Sequence, residues 1–152
     1  MIRDDLKAAQ IAAMKAGEKP RLQAIRSILA KVKDRDIELR TGTAPTDDDV
    51  MIIEVLNRMA KQRRESMAMF ETGGRPELAA NEAAELVVIE SFLPARLDEA
   101  QTRAAIRAIT DELNASSPKD MGRVMAELKA RHGHELDMGT ASALTKAELT
   151  AP

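Results

Sequence analysis

The sequence predicts an all-α protein, an amino-terminal bundle of about four helices followed by a small three-helix domain. Only Phe70 and Phe92 are aromatic, so the core must come from Leu, Ile, Val, Met and Ala, a palette that favours helices over sheets. Apolar residues recur at three- and four-residue spacing, and no stretch carries a β-hairpin signal. Prolines stand where helices would start and glycines where they would stop.

The first helix is predicted over about Asp4 to Ala16 and the second from Pro20 to near Arg40, with Leu22, Ile25, Leu29 and Val32 on one stripe. After a linker at Thr41 to Pro45, Thr46 caps a third helix whose first turn holds Asp47, Asp48 and Asp49 and which runs to about Thr72. The fourth starts at Pro76 and stops before Pro94, the expected domain boundary, which gives domains at 1–94 and 95–152. Asp98 with Gln101 forms a cap pattern for helix five, which turns Thr102, Ile106, Ile109 and Leu113 inward. Helix six opens at Ser117 as N-cap, with Pro118 in the first position and Asp120 at the positive end of the dipole. Met121, Val124, Met125 and Leu128 face its core, and Lys119, Arg123 and Arg131 point away. Helix seven covers about Asp137 to Leu149. Gly17, Gly42, Gly73 and Gly133 are each expected in left-handed conformation closing a helix.

Composition narrows the function classes. The absence of cysteine excludes disulfides, thiolate zinc sites and cysteine nucleophiles. With neither a signal peptide nor a membrane-spanning apolar run, a cytoplasmic location is the expectation. The net charge of −2 is spread evenly, and neither half is basic enough to announce nucleic acid alone. Catalytic machinery is not visible: there is no phosphate-cradling glycine loop and no nucleophile elbow. The carboxylates at Asp47 to Asp49 read as helix capping. His132 and His134 beside Glu135 and Asp137 could be drawn as a metal site, but interaction with a helix C-terminus is the plainer account, so neither a metal nor a cofactor is expected.

Charged positions carry the remaining information. Arg63 interrupts the stripe Ile52, Leu56, Met59, Met67 and Phe70, so it needs carboxylates, and Glu82 and Glu85 on the antiparallel fourth helix are the natural supply for a structural ion pair. Arg103 with Arg107, Lys119 with Arg123, and nearby Lys129 and Arg131 are the candidate contacts to RNA phosphates, and Lys61, Arg64 and Arg75 could make a smaller cationic patch. A merely solvated surface is the competing reading. Without aromatic platforms in the carboxy-terminal domain, any RNA contact would be to backbone shape.

Several segments together carry a family resemblance: KQRRES at Lys61 to Ser66, Gly74-Arg75-Pro76-Glu77-Leu78, the run from Glu82 through Glu85 to Phe92-Leu93-Pro94, SSPKDMGRVMAELK from Ser116, Gly133, and LDMGTASALTKAEL from Leu136. As a set they resemble the GatB/YqeY family, in particular its stand-alone YqeY-type proteins. The loop Arg131 to Leu136 departs in being slightly longer with two histidines, and Thr145 stands where an aliphatic residue is expected. In the larger GatB subunit of the tRNA-dependent amidotransferase, a related tail helps hold tRNA while a separate core does the chemistry. The matching positions are Lys119, Asp120, Met121, Gly122, Arg123 and Gly133, with Lys61, Arg63, Ser66, Arg75, Glu82 and Glu85 upstream.

The resemblance implies a tRNA- or RNA-contacting module without catalysis of its own, carrying a carbon–nitrogen ligase association (glutamine as amido-N-donor) only through the family. In it, the N-terminus of helix six would add its dipole to the cations. Gly122 would permit either close approach of RNA or close helix packing. A protein-interaction adaptor, docking through adaptable methionines, is the alternative. The expected partner is thus tRNA or another structured RNA, or else a protein, with no membrane and no DNA.

Overall fold

The computed structural model describes residues 1–42, 47–133 and 135–151. The protein is all-α, with seven α-helices and no strand among the described residues. By compactness the chain divides into Met1–Leu93 and Pro94–Pro152.

The first unit holds α1 (Ile2–Ala16), α2 (Lys19–Leu39), α3 (Asp48–Thr72) and α4 (Pro76–Ser91). Helix α1 starts two residues before the expected Asp4, because α3 supplies the missing cap. The backbone N–H of Ile2 donates to Asp49 Oδ1 at 2.9 Å, satisfying a donor that a first helical turn leaves open. Arg3 grips Asp48 at 2.8 Å and Asp36 of α2 at 3.0 Å, tying three helices at one point. Leu6, Ile28, Val32, Ile52, Leu56 and Ile89 form the heart of this unit's core. Helix α2 turns Ile25 and Val32 fully inward, while Leu22 and Leu29 are half-buried.

The cap of α3 is Asp47, not Thr46: the Asp47 carboxylate accepts from the Asp49 N–H at 2.9 Å, as suits the better N-cap residue. Thr46, and Thr43 to Pro45 of the expected linker, lie outside the described residues.

The second unit holds α5 (Glu99–Leu113), a 3₁₀ turn (Pro118–Asp120), α6 (Met121–His132) and α7 (Met138–Thr150). The Asp98–Gln101 capping box opens α5, with reciprocal bonds of 2.7 and 3.0 Å. The Ser117 start leads into the 3₁₀ turn, and α6 proper begins three residues later, a common tightening at helix ends. Ile106, Ile109, Val124, Leu128, Leu136, Ala141 and Leu149 make the core. Thr145, unexpected in an aliphatic position, is fully buried, and its hydroxyl donates to the Ala141 carbonyl at 2.8 Å. The bond satisfies the buried hydroxyl.

Of the four glycines expected in left-handed conformation, Gly17 has it (φ 70). Gly73 does not (φ −79), because the chain reverses one residue later at Gly74, where φ is 71. Helix α2 ends at Arg40 in right-handed conformation, and Gly42 is not left-handed either. Gly133 is right-handed (φ −55), and space is its requirement: a Cβ there would lie 2.5 Å from the Lys129 carbonyl oxygen. The left-handed end of α5 belongs instead to Asn114 (φ 51), the non-glycine residue that tolerates it best.

Candidate functional site

The candidate cations of the second unit are drawn to carboxylates rather than to one another. In α5, Arg103 lies 2.8 Å from Glu99 of the preceding turn, and Arg107 stands 3.5 Å from Glu148 of α7. Arg123 of α6 lies 2.8 Å from Asp120. Arg131 at the other end of α6 holds Glu127 and Glu112, each at 2.6 Å. Lys119 and Lys129 are exposed and make no ion pair among the described residues.

Electrostatics follow from these contacts. The Arg123 guanidinium, together with the backbone N–H groups of Ser116 and Ser117, lowers the Asp120 carboxyl to about 2. Glu112, then Glu127, holds the Arg131 guanidinium above its ordinary range, and Glu112 is lowered in return.

Asp120 also places negative charge at the start of helix six. Its carboxylate accepts from the N–H of Ser117, the N-cap residue, at 3.2 Å and from that of Ser116 before it at 3.0 Å. Gly122, in the first turn of α6, is exposed, and a Cβ there would meet nothing within 4 Å. Close packing of two helix backbones is therefore not its role.

In the first unit, Lys61 is exposed without an ion pair among the described residues, whereas Arg64 meets Glu90 at 2.6 Å and Arg75 meets Glu77 at 2.9 Å. Arg63 is half-buried between α3 and α4, 3.4 Å from Glu82 and 2.8 Å from Glu85. The Glu85 contact is one of charge alone, since the Arg63 Nε–H is not aligned with it as a hydrogen bond.

Sequence reasoning missed the Arg3 clamp, whose partners lie 33 and 45 residues away, and no local spacing signals it. His132 Nδ1 lies 3.0 Å from Glu135, while His134 falls outside the described residues. No metal-binding group of three or more ligands occurs among the described residues. Two open grooves mark the first unit, one of about 570 Å³ between α2 and α4 and one of about 150 Å³ between α2 and α3. No described helix is long and apolar enough to cross a membrane.

These features define a class: a helical protein of two compact units with charged helix surfaces. The chain belongs to the family described as Yqey-like protein, whose pattern matches residues 3–149. Among its relatives is the "Altered inheritance of mitochondria protein 41, mitochondrial" of Saccharomyces cerevisiae (strain YJM789), 28% identical over 93 residues, covering 61% of this chain and 46% of that protein. The protein of the same name from Kluyveromyces lactis is 27% identical over 120 residues, 77% of this chain and 60% of its own length. That from Eremothecium gossypii is 26% identical over 132 residues, 87% and 61% respectively. The chain thus spans about half, 46%, to about three fifths, 61%, of the length of these relatives.

Proposed function

We propose that this chain is a non-catalytic module that contacts folded RNA, tRNA foremost, as the resemblance to the tail of the amidotransferase B subunit implies. A carbon–nitrogen ligase label would then describe its family association and not a reaction of this chain. One observation carries the reading: in a chain matching the family pattern over residues 3–149, the cations of the second unit are solvent-exposed and restrained only by surface carboxylates. Such pairs are worth about 0–1 kcal/mol each, so phosphates can replace the carboxylates at little cost.

Arg107, at 3.5 Å from Glu148, is the loosest pair and the first to exchange. Lys119 and Lys129 need no exchange at all. Recognition would follow backbone shape, since this unit has no aromatic residue on which a base could stack. The start of α6 takes no part, because Asp120 would repel a phosphate there. The cytoplasm is the compartment in this reading, the default for a cysteine-free chain.

Fluorescence anisotropy of labelled bulk tRNA tests the reading. Binding should weaken steeply as salt rises, and the double variant Lys119→Ala/Arg123→Ala should weaken it several-fold. Glu148→Gln, which removes the competitor for Arg107, should tighten it. Absence of binding at low ionic strength with micromolar protein would refute RNA contact and leave the second reading, a protein-interaction adaptor. That alternative draws on the extensive pairing of the arginines, which leaves little unspent positive charge.

A further inference from the structure

Helix α2 turns Ala24, Ile25, Ile28 and Val32 into the core of the first unit. Its opposite side carries Lys19, Arg26, Lys33 and Arg40, all exposed and each seven residues from the next. Seven residues fall about 20° short of two full turns, so the row drifts by about 60° in all and stays on the outward side. At a rise of 1.5 Å per residue, the cations stand about 10 Å apart on a line about 30 Å long. Gln23, Ala30 and Ile37 fill the places between them, and none of these is charged.

The acids interleaved with these cations in the sequence are drawn elsewhere. Among the described residues, the ion pairs of α2 and its cap are Arg21 with Glu18 at 3.9 Å, Arg35 with Glu38 at 2.9 Å, and Asp36 with Arg3 of α1 at 3.0 Å. Asp34 lines the groove against α3. A cation on a helix is ordinarily steadied by an acid three or four residues away. Around Lys19, Arg26 and Lys33 those places in α2 hold Leu22, Gln23, Leu29, Ala30, Ile37 and Asp36, and Asp36 already accepts two hydrogen bonds from Arg3, each of 3.0 Å. Lys19 stands in the first turn, at the positive end of the helix dipole, where a cation is disfavoured. Helix stability does not account for this row.

A row of cations without apolar anchors suits a polyanion. Protein interfaces are depleted of lysine, and of charge at their centres, whereas a helix lying on a membrane inserts apolar side chains, of which this row offers only Ile37. A phosphodiester backbone asks for neither. Lysine and arginine meet its phosphate oxygens directly, and the counterions they displace drive the contact.

We infer that the outward row of α2 is a second RNA-contacting surface, on which Lys19, Arg26, Lys33 and Arg40 bind phosphates of a folded RNA. The inference rests on the RNA reading above and extends it to the first unit.

Anisotropy of labelled bulk tRNA with the full chain, repeated over a salt series, tests it. Arg26→Gln/Lys33→Gln should weaken binding several-fold and flatten the slope of log affinity against log salt by about 1.4 to 1.8, the counterion release expected for two phosphates. Lys31→Gln/Arg58→Gln removes the same charge from the groove between α2 and α3 and should leave affinity and slope as in the parent. All four sites are exposed, so helical circular dichroism should match the parent in both variants. Equal losses from the two pairs overturn the inference, because net charge alone would then suffice. An Arg26→Gln/Lys33→Gln variant that binds like the parent overturns it too, and leaves the RNA reading standing where Lys119→Ala/Arg123→Ala still weakens binding. No binding by the parent at low ionic strength removes the RNA reading and this surface together.

Discussion

At the scale of single residues, identical amino acids serve different physical ends. Gly17 and Gly74 supply left-handed turns, Gly133 supplies room for a carbonyl, and Gly122 supplies neither. A helix-interior glycine without a steric reason costs about 0.5–1 kcal/mol relative to alanine. Gly122→Ala should therefore raise the unfolding free energy measured in urea by that increment, whereas Gly133→Ala should lower it by about 1–3 kcal/mol, because the added Cβ meets the Lys129 carbonyl. Equal responses at the two sites would contradict the distinction. That glycines would punctuate this chain is plain from their positions. Which of them is left-handed is not, because the choice between Gly73 and Gly74 rests on where the chain must turn to pack α4 on α3. Thr145 shows the same limit: its place in the apolar pattern is legible, but its tolerance depends on a bond to its own helix.

At the scale of helices, the stripes and caps are local patterns, and the sequence reveals them well. Helix ends shift by a residue or two where another element intervenes, as at α1, whose first turn is capped from α3. Ion pairs between helices are a different matter. Arg63 in the apolar stripe of α3 needs charge neutralisation, and its contacts to Glu82 and Glu85 depend on the register of α3 against α4. Arg63→Met would leave two half-buried carboxylates facing each other without a cation, at a cost of about 1–2 kcal/mol, below the value for a fully buried pair because water still reaches the site. Adding Glu82→Gln and Glu85→Gln to that variant should recover most of the loss. Chemical denaturation of the single and triple variants checks both values, and a triple variant no more stable than the single one would refute the ion-pair account.

At the scale of the whole molecule, the 23 lysines and arginines nearly cancel the 25 carboxylates, and acid is the condition that exposes the balance. Hydrogen bonds from Arg3 hold the Asp48 carboxyl below its ordinary range, and those from Arg123, Ser116 and Ser117 bring Asp120 to about 2. A carboxyl lowered in the folded state favours folding at all pH values above its unfolded pKa of about 3.9, and the contribution fades as pH falls through the folded value. Thermal stability should accordingly stay level for these groups between about pH 7 and 5, then fall between about pH 4 and 2. Asp120→Asn should be less stable than the parent at neutral pH and converge with it near pH 2, as melting by circular dichroism would record. A constant difference across that range would exclude Asp120 as a contributor.

The sequence by itself determined that the protein is helical, where the seven helices of the described residues lie to within a few residues, and which family it joins. These properties follow from the spacing of apolar side chains and from capping chemistry, which act over one or two turns of chain. Only the tertiary structure decided that most candidate arginines are held by carboxylates and that Asp120 takes up the N–H groups of Ser116 and Ser117 just before α6. Those outcomes depend on which helix faces lie together, and partners as far apart as Arg3 and Asp48 meet only when the packing of apolar cores has brought their helices side by side.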